Sequence, residues 1–167
     1  IGNSTQTTLH TLQLDNLSAG TTYYYVARWT DEDGNTGLSQ EFTFITSPAP
    51  VIKEVISYNI GLSSASISFT SKNASKVNLY YGLTDSFGGI RSINTSQNES
   101  NYTFNLDNLT DGSKYFYRIS AFDSEGGEYL GNVFSLTTPA RPRIANLKFQ
   151  PIAGEPTSTQ SVTWTTN

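Results

Sequence analysis

The chain repeats itself. Leu14-Asp15-Asn16-Leu17-Ser18-Ala19-Gly20-Thr21-Thr22-Tyr23-Tyr24-Tyr25 aligns without a gap on Leu106-Asp107-Asn108-Leu109-Thr110-Asp111-Gly112-Ser113-Lys114-Tyr115-Phe116-Tyr117, 92 positions later. The same offset pairs Gly34 with Gly126, Phe42 with Phe134, Thr46 with Thr138, Pro50 with Pro142 and Ile52 with Ile144. Ser66-Ile67-Ser68-Phe69-Thr70 answers to Ser161-Val162-Thr163-Trp164-Thr165 at an offset of 95, so extra residues precede the later strand. The stretch around Gly154-Glu155-Pro156 reads as the longer loop that holds them. Solenoid repeats recur every ~20–50 residues. A period near 92 is too long for that class and fits one independent sandwich per copy.

The middle copy, residues 50–139, reads as complete. Strands are expected over 51–58, 65–70, 76–82, 89–94, 101–106, 114–123 and 130–138. In Ala65-Ser66-Ile67-Ser68-Phe69-Thr70, alternation puts Ile67 and Phe69 on one face. Tyr115, Tyr117, Ile119 and Ala121 share the core face of a later strand. Asp33-Gly34, Asp111-Gly112 and Gly126-Gly127 supply turns. Residues 1–47 carry what reads as the last three strands of another copy, and residues 143–167 the first two strands of a third. Ser47-Pro48-Ala49-Pro50 and Pro139-Ala140-Arg141-Pro142 are short, stiff joints. The partial copies imply either a longer array or completion by a neighbouring chain. Exposed half-sandwiches leave open sheet edges that aggregate, which favours the longer array.

Composition agrees with an all-β chain. Charged residues are 14%, against ~25% in an average globular protein, and Ser, Thr, Asn and Gly take their place. Hydrophobic residues are 36% and aromatic residues 13%, enough for sandwich cores. There is no Cys, which excludes a disulfide framework and thiolate metal sites. The net charge of −4 comes without a basic stripe, so nucleic acid is not an expected partner. No apolar run approaches the ~20 residues of a membrane helix, and no membrane insertion is expected.

The pattern Leu-x-x-Gly-[Thr/Ser]-x-Tyr-x-Tyr, at Leu17 to Tyr25 and again at Leu109 to Tyr117, resembles the loop and sixth strand of fibronectin type III domains. Trp164 stands where that family usually has a Trp on its second strand, and Phe69 departs from it with another ring. Val77-Asn78-Leu79-Tyr80-Tyr81-Gly82 resembles the third strand of the related amino-terminal sandwich of purple acid phosphatases. That version recurs in large surface proteins of bacteria and archaea. The resemblance implies immunoglobulin-like, fibronectin type III-like β-sandwiches in tandem, with an extracellular or cell-surface location. It transfers no active site, because the metal ligands of those phosphatases lie in a different domain.

Catalysis is not expected. His10, beside the strand expected at Thr11–Leu14, is the only histidine, and without a second His or a Cys there is no triad or zinc set. Glu125 and Glu128 flank a hairpin turn and read as solvated. No cofactor and no metal ligand set is expected. Asp31-Glu32-Asp33-Gly34-Asn35 has calcium-loop residue types, but Phe42 stands where the distal bidentate Glu belongs. Asn3, Asn16, Asn73, Asn94, Asn98, Asn101 and Asn108 each open an Asn-x-[Ser/Thr] sequence and are candidate glycosylation positions. An Asn- and Ser-rich chain also produces such matches by composition alone.

Tyr23, Tyr25, Phe69, Tyr115, Tyr117 and Trp164 are the expected structural core. Tyr23 and Tyr115 are placed to bury a ring while their hydroxyls bond upstream backbone, as in a tyrosine corner. Tyr24 and Phe116 then point outward, together with Tyr80 or Tyr81. Such a stripe suits sugar stacking or protein contacts. The expected function is a non-catalytic structural or adhesive module of a tandem-repeat surface protein, stalk or filament. Its expected partners are neighbouring domains of the array, other copies in a filament or surface layer, and glycans. The alternative is an accessory spacer or carbohydrate-binding array in a secreted hydrolase.

Overall fold

The computed structural model describes Gly2 and residues 9–166, and those residues form strands and turns with no helix. Early in the chain come β1 (Thr22–Tyr25), β2 (Arg28–Thr30), β3 (Thr36–Leu38) and β4 (Phe42–Ile45). The middle holds β5 (Val51–Tyr58), β6 (Ala65–Lys72), β7 (Lys76–Gly82), β8 (Gly89–Asn94), β9 (Ser100–Leu106), β10 (Lys114–Phe122) and β11 (Glu128–Thr137). Last come β12 (Ile144–Pro151) and β13 (Gln160–Thr166). The pairings are antiparallel throughout.

β5 to β11 make a sandwich. One sheet has the order β5-β6-β9 and the other β11-β10-β7-β8. Alternation decides what lies between them. Ile67 and Phe69 of β6, Phe104 and Leu106 of β9, Val77 and Leu79 of β7, and Tyr115, Tyr117, Ile119 and Ala121 of β10 are all buried. Phe69 stacks on Phe104 with ring centroids 5.5 Å apart, and Tyr117 on Phe134 at 5.6 Å. Burying a large side chain of this kind contributes ~1.5–3 kcal/mol, so this shared interior holds the two sheets together. The order in the two sheets is that of a fibronectin type III-like sandwich, and the chain is all-β with an immunoglobulin-like fold.

The internal repeat extends to individual hydrogen bonds. The Tyr115 hydroxyl accepts the Thr110 N–H at 2.9 Å, and the Tyr23 hydroxyl accepts the Ser18 N–H at 2.8 Å. Thr138 Oγ1 donates to the Thr110 carbonyl at 2.6 Å, as Thr46 Oγ1 donates to the Ser18 carbonyl at 2.6 Å. The Gly112 N–H reaches the Pro139 carbonyl at 2.9 Å, and the Gly20 N–H the Ser47 carbonyl at 3.0 Å. Both glycines have φ near 60°, a left-handed conformation that glycine adopts without a Cβ penalty. The first strands of the middle and last copies also bulge at equivalent places, at Glu54 (φ 54°) and at Asn146 (φ 55°).

Two expectations need correction. Tyr25 and Trp164 were assigned to a core, yet they stand 47% and 55% exposed. β1 pairs only with β4, and β12 only with β13, in two-stranded sheets. Among the described residues no second sheet covers either pair, so these rings lack the opposing layer that buries Tyr117 and Phe69. Tyr23 is half-buried for the same reason. Thr11–Leu14, expected as a strand, forms none. Its equivalents in the middle copy belong to β9, which is held by pairing with β6, and among the described residues no such partner stands beside Thr11–Leu14.

Candidate functional site

The outward face of the four-stranded sheet gathers the most chemistry. β10 presents Lys114, Phe116, Arg118, Ser120 and Phe122 on that face, because their neighbours Tyr115, Tyr117, Ile119 and Ala121 point into the core. Register sets Gly82, Tyr80, Asn78 and Lys76 of β7 beside Phe116, Arg118, Ser120 and Phe122. Tyr80 therefore faces outward, while Tyr81 packs against the core. Tyr24, equivalent to Phe116, is exposed on β1.

Polar groups on this face bond to one another. Ser120 Oγ donates to Glu128 Oε1 at 2.7 Å, and the Tyr80 hydroxyl donates to the same oxygen at 3.0 Å. Asn78 Nδ2 donates to the Tyr80 hydroxyl at 3.3 Å, and Ser92 Oγ donates to Asn78 Oδ1 at 2.8 Å. The chain of bonds crosses β8, β7, β10 and β11, satisfies the buried Asn78 and Ser120 and fixes the rotamers of the groups in it.

Cations sit over the rings. Lys76 Nζ lies 4.2 Å from the Phe122 centroid, Lys114 Nζ 5.0 Å from Phe116, and the Arg118 guanidinium carbon 5.2 Å from Phe87. Phe87 comes from the turn between β7 and β8 and has φ 55°. It crosses Gly82 so closely that a Cβ there would stand 2.9 Å from the Phe87 backbone. Arg118 Nε is shut off from solvent with no hydrogen-bond partner among the described residues. Sequence reasoning found Phe116 and the Tyr80/Tyr81 choice but missed Arg118, Phe87 and the two lysines. The alternation of Lys114, Phe116 and Arg118 on one strand was the available signal. Nothing in the sequence marked the fold-over of Phe87.

The other candidates lie apart from this face. Both oxygens of Asp31 are engaged within its own turn, by the Asn35 N–H at 2.7 Å and Asn35 Nδ2 at 2.9 Å. The Asn35 side chain, then its backbone, holds the Asp31 carboxyl below its ordinary value. Asp123 accepts the Glu125 and Gly127 N–H groups in the same way. Each is a self-satisfied hairpin turn. Among the described residues no three His, Cys, Asp or Glu side chains gather where a metal ion could be held. His10 is exposed in a segment without regular structure.

The candidate glycan acceptors also divide. Asn73 Nδ2 donates to the Ala49 carbonyl at 3.2 Å, and the Asn101 amide meets the Thr70 hydroxyl at 2.8 Å. Asn16, Asn94, Asn98 and Asn108 are exposed, and Asn16 and Asn108 share φ near 59° at equivalent corners. Asn3 lies outside the described residues.

No family model matches the chain, and no curated protein matches it. Several solved structures are similar in fold. The sensor domain of the anti-sigma factor RsgI4 of Pseudobacteroides cellulosolvens is 15% identical, with a TM-score of 0.45 over 56% of this chain and 92% of that one. A computationally redesigned β-sandwich protein is 16% identical, with a TM-score of 0.43 over 53% of this chain and 94% of that one. The FN1–FN3 domains of chicken CNTN1 are 18% identical, with a TM-score of 0.43 over 75% of this chain and 43% of that one. These likenesses concern fold only, and each stays below a TM-score of 0.5. The strand order and the doubled corner carry the fold assignment.

Proposed function

We propose that the chain is a segment of a tandem array of fibronectin type III-like domains, serving as a non-catalytic structural or adhesive module outside the cell. Residues 50–139 are one complete domain. Residues 1–47 are the last strands of the domain before it, and residues 143–167 the first strands of the domain after it. The observation that carries this reading is the repetition of the corner, bond for bond, at an offset of 92 residues. A sequence that conserves the turn leading into the next joint twice over is built for serial connection. The joints support it: Arg141 meets Asp111 through Nε at 3.6 Å and through its backbone N–H at 3.2 Å, which ties the second joint to the corner. Short Pro-containing joints of this kind restrict bending and suit a stalk, filament or surface layer.

Electron microscopy of the full-length gene product, with protease treatment of intact cells, tests this reading. A row of evenly spaced sandwiches that added protease removes from the cell surface is the expected result. A compact particle that protease reaches only after lysis would overturn it. Exposed Asn98 and Asn108 are better-placed glycan acceptors than Asn73, whose side-chain nitrogen already donates to Ala49. Glycopeptide mass spectrometry of protein from its own source checks that ranking.

A further inference from the structure

We propose that the outward face of the β11-β10-β7-β8 sheet is a docking surface for a linear polysaccharide bearing uronic-acid carboxylates. This rests on the adhesive reading above and names the ligand class for it. Ring stacking against neutral sugars is the ordinary use of exposed aromatics on a sheet, but here the rings are taken. Phe122, Phe116 and Phe87 each have a cation over a ring face. A ring capped in this way presents positive charge where a stacking platform would present carbon.

The charges are laid out in a row. Lys114 and Arg118 are four residues apart on β10, and Lys76 sits over Phe122, four residues further along. At ~3.4 Å per residue Lys114 and Arg118 stand about 14 Å apart along β10, and Lys76 of the neighbouring β7 continues the line beside Phe122. A row of that form matches an extended polyanion better than a compact acidic tip. The sign is also selective. The chain carries a net −4, yet this face holds Lys76, Lys114 and Arg118 against Glu128, whose Oε1 already accepts from Ser120 and Tyr80. Between the cations the exposed Ser92 hydroxyl is available to a sugar, while Asn78 and Ser120 lie buried beneath it and hold the face in place. Because their mutual bonds fix them in place, a ligand meets a face that is already ordered. Arg118 supplies the planar guanidinium that suits a carboxylate.

Isothermal titration of the 167-residue chain with polygalacturonate oligomers tests the proposal. The expected results are saturable binding that weakens with added salt and no binding to the fully methyl-esterified, neutral polymer. The double variant Lys114→Gln with Arg118→Gln should lose at least about tenfold in affinity. Thermal unfolding confirms that it is folded, and Lys53→Gln, on β5 of the opposite sheet, should bind as the parent does. Equal binding of the methyl ester would overturn the proposal in favour of neutral stacking. Binding only to dextran sulfate or to polyglutamate would overturn it in favour of another polyanion. Absence of binding to any of these would overturn it while leaving the surface-array reading intact, since that reading stands or falls on the shape and location of the full-length protein.

Discussion

Tyr115 joins two kinds of stabilisation in one side chain. Its ring fills the core beside Leu109 and Leu136, and its hydroxyl satisfies the Thr110 N–H. Tyr115→Phe keeps the ring and strands the donor, which should cost about 1 kcal/mol in denaturant unfolding. Tyr23→Phe removes the same bond from a more exposed corner, where water can replace the partner, and should cost less. Gly82→Ala is a sharper test, because the new Cβ would meet Phe87 backbone rather than a flexible chain end. A loss of ~1–3 kcal/mol is expected, together with displacement of Phe87 from Arg118. Amide chemical shifts of the β7–β8 turn report the second effect.

Two titrations follow from named groups. Asp31 is held below its ordinary pKa by the Asn35 side chain and backbone, so its folded pKa is the lower one. Its help to the β2–β3 turn is therefore full at neutral pH and is lost as pH falls through that depressed value. Amide exchange at Asn35 should quicken in acid. Tyr117 is shifted the other way, raised by burial and partly offset by a hydrogen bond with Ser57. Its contribution is full below the ordinary tyrosine value and is lost as pH rises beyond it. Ultraviolet titration should show the Tyr117 phenolate appearing late, with alkaline unfolding.

At the level of strands, legibility followed period and punctuation. The seven expected strands of the middle copy fall close to β5–β11, and β6, β9 and β10 are the plainest because each alternates on one buried face and ends at Gly, Asn or Asp. The sequence also chose the inward faces of β6 and β10 correctly, since only one register buries Ile67, Phe69, Tyr115 and Tyr117. It failed at Thr11–Leu14, where alternation is present but no strand pairs with it. It failed again at Trp164 and Tyr25, because a pattern reports which side is apolar and not whether a second sheet covers it. The cationic face was only half legible. Strand alternation could place Arg118 outward, but ring-to-cation geometry depends on Phe87, which reaches the sheet through a turn.

For the molecule as a whole, the bulges and corners recur in register. Tyr117 opposes Phe134 as Tyr25 opposes Phe42, and Ser120 opposes Leu130 as Arg28 opposes Leu38. The Asp111–Arg141 pair is exposed on its Arg side, and Asp111→Ala should change unfolding free energy by under ~1 kcal/mol. Its effect belongs to the joint, and small-angle scattering should detect added bending there.

One cross-strand pair differs between the copies in a way that matters for folding. In the middle copy Ala121 faces Tyr129, while at the equivalent place Trp29 faces Gly37 and lies across it. Small and large have changed sides. Were β10 to anneal with β3, Ala121 would face Gly37 with almost no side chain to pack across the pair. Such an exchange between the two copies, a hazard to which repeated sequences are prone, would forfeit the cross-strand packing that Trp29 and Gly37 make.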